Sequence, residues 1–240
     1  MADDNSPQLE TFASFETLSL GAAERIAHAS RAAVYSRKRF RMVLSGGEQL
    51  RALYRRLADE YHDRIQWPQA TVFFADERCV PAHNAESNYA MAAGALLSHV
   101  PIAKRNEHRL TGELDAADAA RTYERELRKE CPVAEDAAFD ILLLNVGEDG
   151  SVASLFPGSA SLEEHERWVM PVRAPATETT AERITLTLPI LNRAREVILI
   201  AAGAARAAIA RAVLDRDPAA LELPAAMVRG LERTVWLTTP

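Results

Sequence analysis

The stretch Phe139-Asp140-Ile141-Leu142-Leu143-Leu144-Asn145-Val146-Gly147-Glu148-Asp149-Gly150-Ser151-Val152-Ala153-Ser154-Leu155-Phe156-Pro157-Gly158 decides how this chain is read. A continuous apolar run empties into an acidic, glycine-bearing turn and restarts as an apolar segment that Pro-Gly ends. Such a run, bounded by turn signals, predicts a strand buried on both faces. In an open α/β sheet, ligands bind outside the carboxyl ends of the strands, so the turn after this run is the first place to look for a site.

The same grammar recurs on both sides. Phe40 to Leu44 predicts a short apolar strand, followed by Ser45-Gly46-Gly47 and a helix from about Glu48 to Tyr61 with Leu50, Leu53, Tyr54 and Leu57 on one face. A second strand, Thr71 to Ala75, leads into Asp76-Glu77-Arg78, with a helix over Asn88 to Leu97. Helices are expected at Ala22 to Tyr35, Ala116 to Lys129 and Ala204 to Leu214, the last rich in alanine. Further strands are expected at Trp168 to Val172, Ile184 to Leu188, Val197 to Ala201 and Thr234 to Leu237. This alternation predicts an α/β fold with a largely parallel sheet and helices on both faces. Residues 1–10 read as a flexible tail and residues 11–240 as a single domain.

The length of 240 residues is enough to bury a substantial core. A net charge of −6 argues against nucleic acid as a partner, since such binders carry a basic stripe, but it leaves room for a local arginine cluster facing an anion. The only cysteines, Cys79 and Cys131, have no metal-ligand spacing and suggest neither a disulfide framework nor a metal site. The first residues are acidic and polar, and no apolar stretch reaches membrane-spanning length. A cytoplasmic protein without a metal or other cofactor is expected.

Several residues offer chemistry. Ser45-Gly46-Gly47 puts free N–H groups at a helix amino terminus, which suits a phosphate, although a tight turn with Ser45 near the cap reads as well. Arg51, one turn on, can reach back toward such an anion. Asp76-Glu77-Arg78 sits at a strand's carboxyl end, where an arginine can hold phosphate or carboxylate in bidentate fashion; a solvated surface triplet is the plainer reading. Ser87-Asn88 has the look of a simple helix cap. None of the six histidines lies in the glycine-acid turn, His108 stays a minor candidate, and no Gly-x-Ser-x-Gly elbow is present.

Taken together, Leu44-Ser45-Gly46-Gly47, Asp76-Glu77-Arg78-Cys79-Val80-Pro81 with Ser87-Asn88-Tyr89, Gly147-Glu148-Asp149-Gly150 with Ala153-Ser154-Leu155-Phe156-Pro157-Gly158, Arg183-Ile184-Thr185-Leu186-Thr187 and Leu191-Asn192 resemble the 6-phosphogluconolactonase family in order and spacing. The likeness runs from about residue 12 to Trp236-Leu237. It implies a Rossmann-like fold, shared with glucosamine-6-phosphate deaminases and ribose-5-phosphate isomerases. It also implies hydrolysis of 6-phosphogluconolactone to 6-phosphogluconate in the oxidative pentose phosphate pathway, without a metal. The Ser-Leu-Phe-Pro-Gly ending looks like the lactonase branch, where the deaminase branch carries Asn-Glu-Pro.

Carried over by resemblance, Ser45, Gly46 and Gly47 face the phosphate, with Arg51, Asp76 and Asn88 beside them. Arg78, Arg183 and Arg206 hold the anionic substrate, Gly147 and Gly150 shape the catalytic turn, and Asp149 orients the catalytic group. That group is a histidine in the family, the general base that activates water; here the position is Ser151. Arg206 stands for the usual lysine and Asn145 for a glycine. Glu48-Gln49-Leu50 replaces a hydroxyl-rich segment and places a carboxylate where phosphate is expected. The stretch Pro175 to Thr180 lacks a Lys-Pro-Pro-like run.

A serine hydroxyl does not accept a proton near neutral pH without a base of its own. Two readings therefore stand: a lactonase in which Asp149, Glu148 or a histidine such as His108 activates water, or a catalytically impaired paralogue that binds a sugar phosphate or a protein partner without turnover. Isomerase or deaminase chemistry is a third, by analogy of fold alone.

Overall fold

In the computed structural model, residues 6–176 and 179–240 are described. Nine strands appear: β1 (Gln8–Thr11), β2 (Phe40–Leu44), β3 (Ala70–Phe74), β4 (Asp76–Arg78), β5 (Phe139–Asn145), β6 (Val169–Arg173), β7 (Glu182–Leu186), β8 (Ala194–Ala201) and β9 (Arg233–Thr238). The principal helices are α1 (Phe15–Arg37), α2 (Glu48–Asp59), α3 (Asn88–Ala92), α4 (Ala116–Glu130), the short α5 (Leu188–Leu191) and α6 (Ala204–Leu214). Among the described residues, none of the helices is long and apolar enough to cross a membrane.

Six strands form one sheet in the order β1-β9-β8-β5-β2-β3, and every neighbouring pair is parallel. Every residue of β2 is buried, as are the first six of β5, which is why both read as apolar runs interrupted only by Arg41 and Asp140. From β2 the chain winds outward to β3, whereas β5, β8 and β9 lie on the other side of β2. The direction of winding therefore switches between β2 and β5. At such a switch point the loops leaving the two strands diverge and open a crevice.

The expected Rossmann-like, largely parallel sheet is present, with two additions. The tail expected over residues 1–10 gives way at Gln8 to an edge strand whose residues 8–11 pair with Val235–Thr238; residues 1–5 lie outside those described. The second addition concerns the strands near 168–172 and 184–188, which form no part of the parallel sheet. The segment between them, residues 174–181, is too short for a parallel crossover, which takes roughly a dozen residues or more. They pair antiparallel instead, and β4 joins them in a three-stranded sheet of order β4-β7-β6. This small sheet is sewn to the large one where Ala75 N–H donates to Leu44 O (2.8 Å) and Leu186 N–H to Ala75 O (2.7 Å).

Helix starts follow their caps. The α1 helix begins seven residues before the expected Ala22, because Ser14 and Thr17 form a reciprocal capping box. Asp115 caps α4 through the N–H groups of Ala117 and Asp118, and Ser87 caps α3 through Ala90. The α3 helix runs on into one π-helical turn, Ala93–Leu97, so the segment expected at 88–97 is continuous but changes its winding.

Candidate active site

The crevice at the switch point is walled by four segments. From the β2 end come Ser45, Gly46 and Gly47; from the β5 end Asn145, Gly147 and Ser151 through Ser154; from β4 Asp76 and Arg78; and from β7 Arg183. This inner cavity measures ≈ 150 Å³. A second cavity of ≈ 240 Å³ shares Gly47, Arg78 and Arg183 and extends past Glu48, Arg51, Ser87, Asn88 and Thr180. The two form one bent cleft with both arginines at the bend.

Asp76 organises the inner wall. It is 5% exposed, and its Oδ1 accepts from Ser45 Oγ (3.2 Å) and Asn88 Nδ2 (3.2 Å), its Oδ2 from Ser154 Oγ (2.6 Å). Asn88 Nδ2 also donates to Asp76 O (2.9 Å), while Asn88 Oδ1 accepts from Arg78 Nη1. One carboxylate thus ties together the β2 turn, the β5 turn and the start of α3. Asp76 and Glu77 are both buried, so the solvated-triplet reading gives way to a polar knot. The sequence conceals it because both carboxylates are satisfied by polar donors, which leave no hydrophobic pattern.

Backbone conformation supports the knot. Gly47 has φ +119°, in the region that favours glycine, and a Cβ on Gly46 would lie 2.0 Å from Asn88 Oδ1. The hydroxyl of Tyr54 clamps Ser45 from below, accepting from its N–H (3.0 Å) and donating to its carbonyl (2.8 Å). Complete burial raises the Tyr54 pKa to well above its ordinary value, so the hydroxyl keeps its proton for that bond. Tyr54→Phe is expected to cost about 1–3 kcal/mol in urea unfolding, the penalty for unsatisfied buried groups. Across the crevice Ala153 (φ +48°) and Ser154 (φ +56°) are consecutive non-glycine residues in the left-handed region, held there as Ser154 Oγ reaches Asp76 and Thr185 Oγ1 donates to Ala153 O.

The arginines are placed by the small sheet. Arg78 and Arg183 lie directly opposite each other in the β4–β7 ladder. Like charges at that position repel. Arg183 is 6% exposed, donates from Nε to Thr180 O (3.2 Å) and from Nη1 to Ser154 Oγ (3.4 Å), and has its guanidinium 5.8 Å from the Phe156 ring centre. Both arginines line both cavities, an arrangement suited to an anion.

Other expected residues lie elsewhere. Arg206 lines neither cavity: its Nε donates to Val146 O (2.9 Å) and its Nη2 lies 3.2 Å from Glu148 Oε1, so it braces the β5 turn from outside. Gly150 (φ +80°) turns the backbone against Leu223. Arg51 lies on the outer cleft with its Nε 3.4 Å from Glu48 Oε2, so the carboxylate expected to oppose phosphate is engaged by the arginine expected to attract it. Thr177 and Glu178, within the stretch Pro175 to Thr180, lie outside the described residues. Cys79 is half-buried, and burial pushes its thiol up to about 11.

In the turn after β5, Ser151 lines the inner cavity, and its N–H donates to Asp149 Oδ1 (2.9 Å). A Cβ on Gly147 would lie 2.3 Å from Ser151 Oγ and 2.5 Å from Asp149 Oδ1, so only glycine lets both side chains lie over this backbone. No histidine appears among the residues lining either cavity. His108 is buried beside α4 instead, its Nδ1 2.5 Å from Glu126 Oε1 and its ring stacked on Phe73 at 4.8 Å.

Comparison with known proteins now decides the family. Residues 13–236 match the family described as glucosamine-6-phosphate isomerases/6-phosphogluconolactonase. The chain belongs to that family. Among its members, the 6-phosphogluconolactonase of Rattus norvegicus is 36% identical over 224 residues, covering 92% of this chain and 86% of the rat protein. That of Mycobacterium tuberculosis is 36% identical over 241 residues, covering 97% and 95%. The solved 6-phosphogluconolactonase of Thermotoga maritima superposes with a TM-score of 0.85 at 27% identity, over 98% of this chain and all of that one. The parallel sheet is thus the family's fold.

Proposed function

We propose that this chain hydrolyses 6-phosphogluconolactone to 6-phosphogluconate, as part of sugar-phosphate oxidation in the cytoplasm. The observation that carries the reading is the opposed pair Arg78 and Arg183 in a cleft floored by the Gly46-Gly47 backbone. Relatives more than a third identical bear the lactonase name, and the Ser-Leu-Phe-Pro-Gly segment supports that branch over the deaminase one.

In this reading the outer cleft takes the phosphate, with Arg51, Asn88 and the free N–H groups that open α2 around it. The inner cavity takes the lactone ring. Water adds to the lactone carbonyl, the ring C–O bond breaks, and the ring oxygen leaves as a hydroxyl after gaining a proton. Arg183 faces the carbonyl oxygen as it becomes negative. Of the groups available to take the proton from water, His108 is turned away, Glu148 is engaged by Arg206, and the Asp76 oxygens already accept three donors. Glu48 and Glu86 line the outer cavity and are engaged by Arg51 and Thr180, so Asp149, exposed and bonded to the N–H of Ser151 on the inner wall, is the assigned base. A carboxylate is a weaker base than imidazole, so turnover is slow, and orientation of an already reactive lactone supplies much of the acceleration.

The absence of histidine from the described cleft walls favours one second reading, a protein that binds the sugar phosphate without turning it over. Hydrolysis of freshly made 6-phosphogluconolactone, corrected for spontaneous opening, separates the two when run beside calorimetric binding of 6-phosphogluconate. Hydrolysis above background with product binding supports the lactonase. Binding alone supports the second reading, and neither result sinks both.

A further inference from the structure

Next to Asp76 stands a second buried carboxylate, Glu77, which neither cavity uses. It is 2% exposed, and no basic side chain is paired with it among the described residues. Four donors converge on it instead. Its Oε1 accepts from Arg78 N (2.8 Å) and Asn88 N (2.7 Å), and its Oε2 accepts from Ser87 Oγ (2.9 Å) and Tyr89 N (2.9 Å). All four belong to the two ends of one loop, which leaves β4 at Arg78 and re-enters at the first turn of α3.

That loop carries Arg78 and Asn88, whose side chains bond each other and face the cleft. Between its ends it is held by Cys79 N–H to Glu182 O (3.0 Å), by Thr180 Oγ1 donating to the Glu86 carboxylate, and by short internal turns such as Asn84 N to Pro81 O (2.8 Å) and Ser87 N to Asn84 O (3.0 Å). We infer that Glu77 is a positioning residue that fixes Arg78 and Asn88 in register for the phosphorylated substrate; this rests on the lactonase reading. A carboxylate fits the task because it only accepts, and three of its four neighbours are backbone N–H groups that only donate, while the Ser87 hydroxyl accepts from Ala90 N and turns its own proton to Glu77. An uncharged isostere would turn an N–H toward another N–H.

The arrangement is costly, which argues for a purpose other than stability. Burial pushes the Glu77 carboxyl above its ordinary pKa despite the four donors. A raised folded-state pKa contributes stability below the unfolded value and loses it as pH rises through the folded value, so the fold is less stable with Glu77 ionised than with it protonated. The charge holds the loop rather than the protein.

The test compares wild type with Glu77→Gln, Glu77→Asp and Ser87→Ala in hydrolysis, 6-phosphogluconate binding and hydrogen exchange. For Glu77→Gln, KM is expected to rise about tenfold or more with kcat changed much less, and product affinity to fall in parallel. Amide protection should drop over residues 78–90 while β2 and β5 stay protected, and Glu77→Asp should recover part of the affinity. Ser87→Ala loses one of the four donors and is expected to raise KM roughly two- to tenfold, so it carries the test if Glu77→Gln does not fold. A folded Glu77→Gln with wild-type KM, product affinity and exchange overturns the assignment. A wild type that neither hydrolyses the lactone nor binds 6-phosphogluconate overturns the lactonase reading and the substrate role with it, while the exchange data still report on the tether.

Discussion

Ser151→His is expected to raise kcat for 6-phosphogluconolactone by about 10²- to 10⁴-fold, the usual worth of a positioned general base, with KM nearly unchanged. The cleft is otherwise furnished. Ser151 already lines the inner cavity, and Gly147 leaves room for the side chains above it. Asp149 spends Oδ1 on the backbone N–H of residue 151, an interaction a histidine would keep, so the carboxylate stays in place to orient the imidazole. The variant should also gain a pH dependence that wild type lacks. A base works deprotonated, so its rate should rise with pH through a limb near the ordinary histidine value of about 6.5. Steady-state hydrolysis against the spontaneous rate checks both points. Unchanged kcat with intact product binding would mean that water is activated from a different direction.

Arg183→Met is expected to lower kcat/KM by about 10²- to 10³-fold, in line with the 2–5 kcal/mol lost on truncating one partner of a desolvated charge pair. Stability should not follow activity. Without ligand, the variant sheds the repulsion between Arg183 and Arg78 while losing the bonds of Arg183, those to Thr180 and Ser154 among them, so Tm in plain buffer should fall far less than activity does. The Tm increase that 6-phosphogluconate gives wild type should vanish, since a ligand stabilises only the state it binds. Arg183→Lys should fall between the two, keeping the charge but losing the planar fork. If Arg183→Met unfolds cooperatively well below wild type and binds product normally, the residue is a strut and the cleft has been misread.

Much of the fold was legible because it is written in burial. β2 and α6 match the residues expected for them, and β5 begins at the expected Phe139, since a doubly covered strand and an alanine-rich helix leave strong periodic signals. The small sheet was not legible, because β4 is three charged residues and its pairing is set by partners a hundred positions away. The site divides the same way. Gly46, Gly47, Arg78, Asn88 and Arg183 are brought together around the cleft, where motif order placed them. Arg206 is not, since its guanidinium finds a backbone carbonyl and Glu148 nearer at hand. Glu77 went unremarked because nothing in a sequence distinguishes a carboxylate held by four donors from one held by water.

The edge strand β1 pairs with β9, joining residue 8 to residue 235 and residue 11 to residue 238. On a ribosome this seam cannot close until almost the whole chain has emerged, so β1 waits through the synthesis of every other strand. β8 meets the same gap from the other side, its outer edge unpaired until β9 arrives. A nascent chain stalled before residue 233 therefore exposes the rim of a hydrophobic parallel sheet, the surface that chaperones engage and that sticks to its own kind. The arrival of β9 closes that rim.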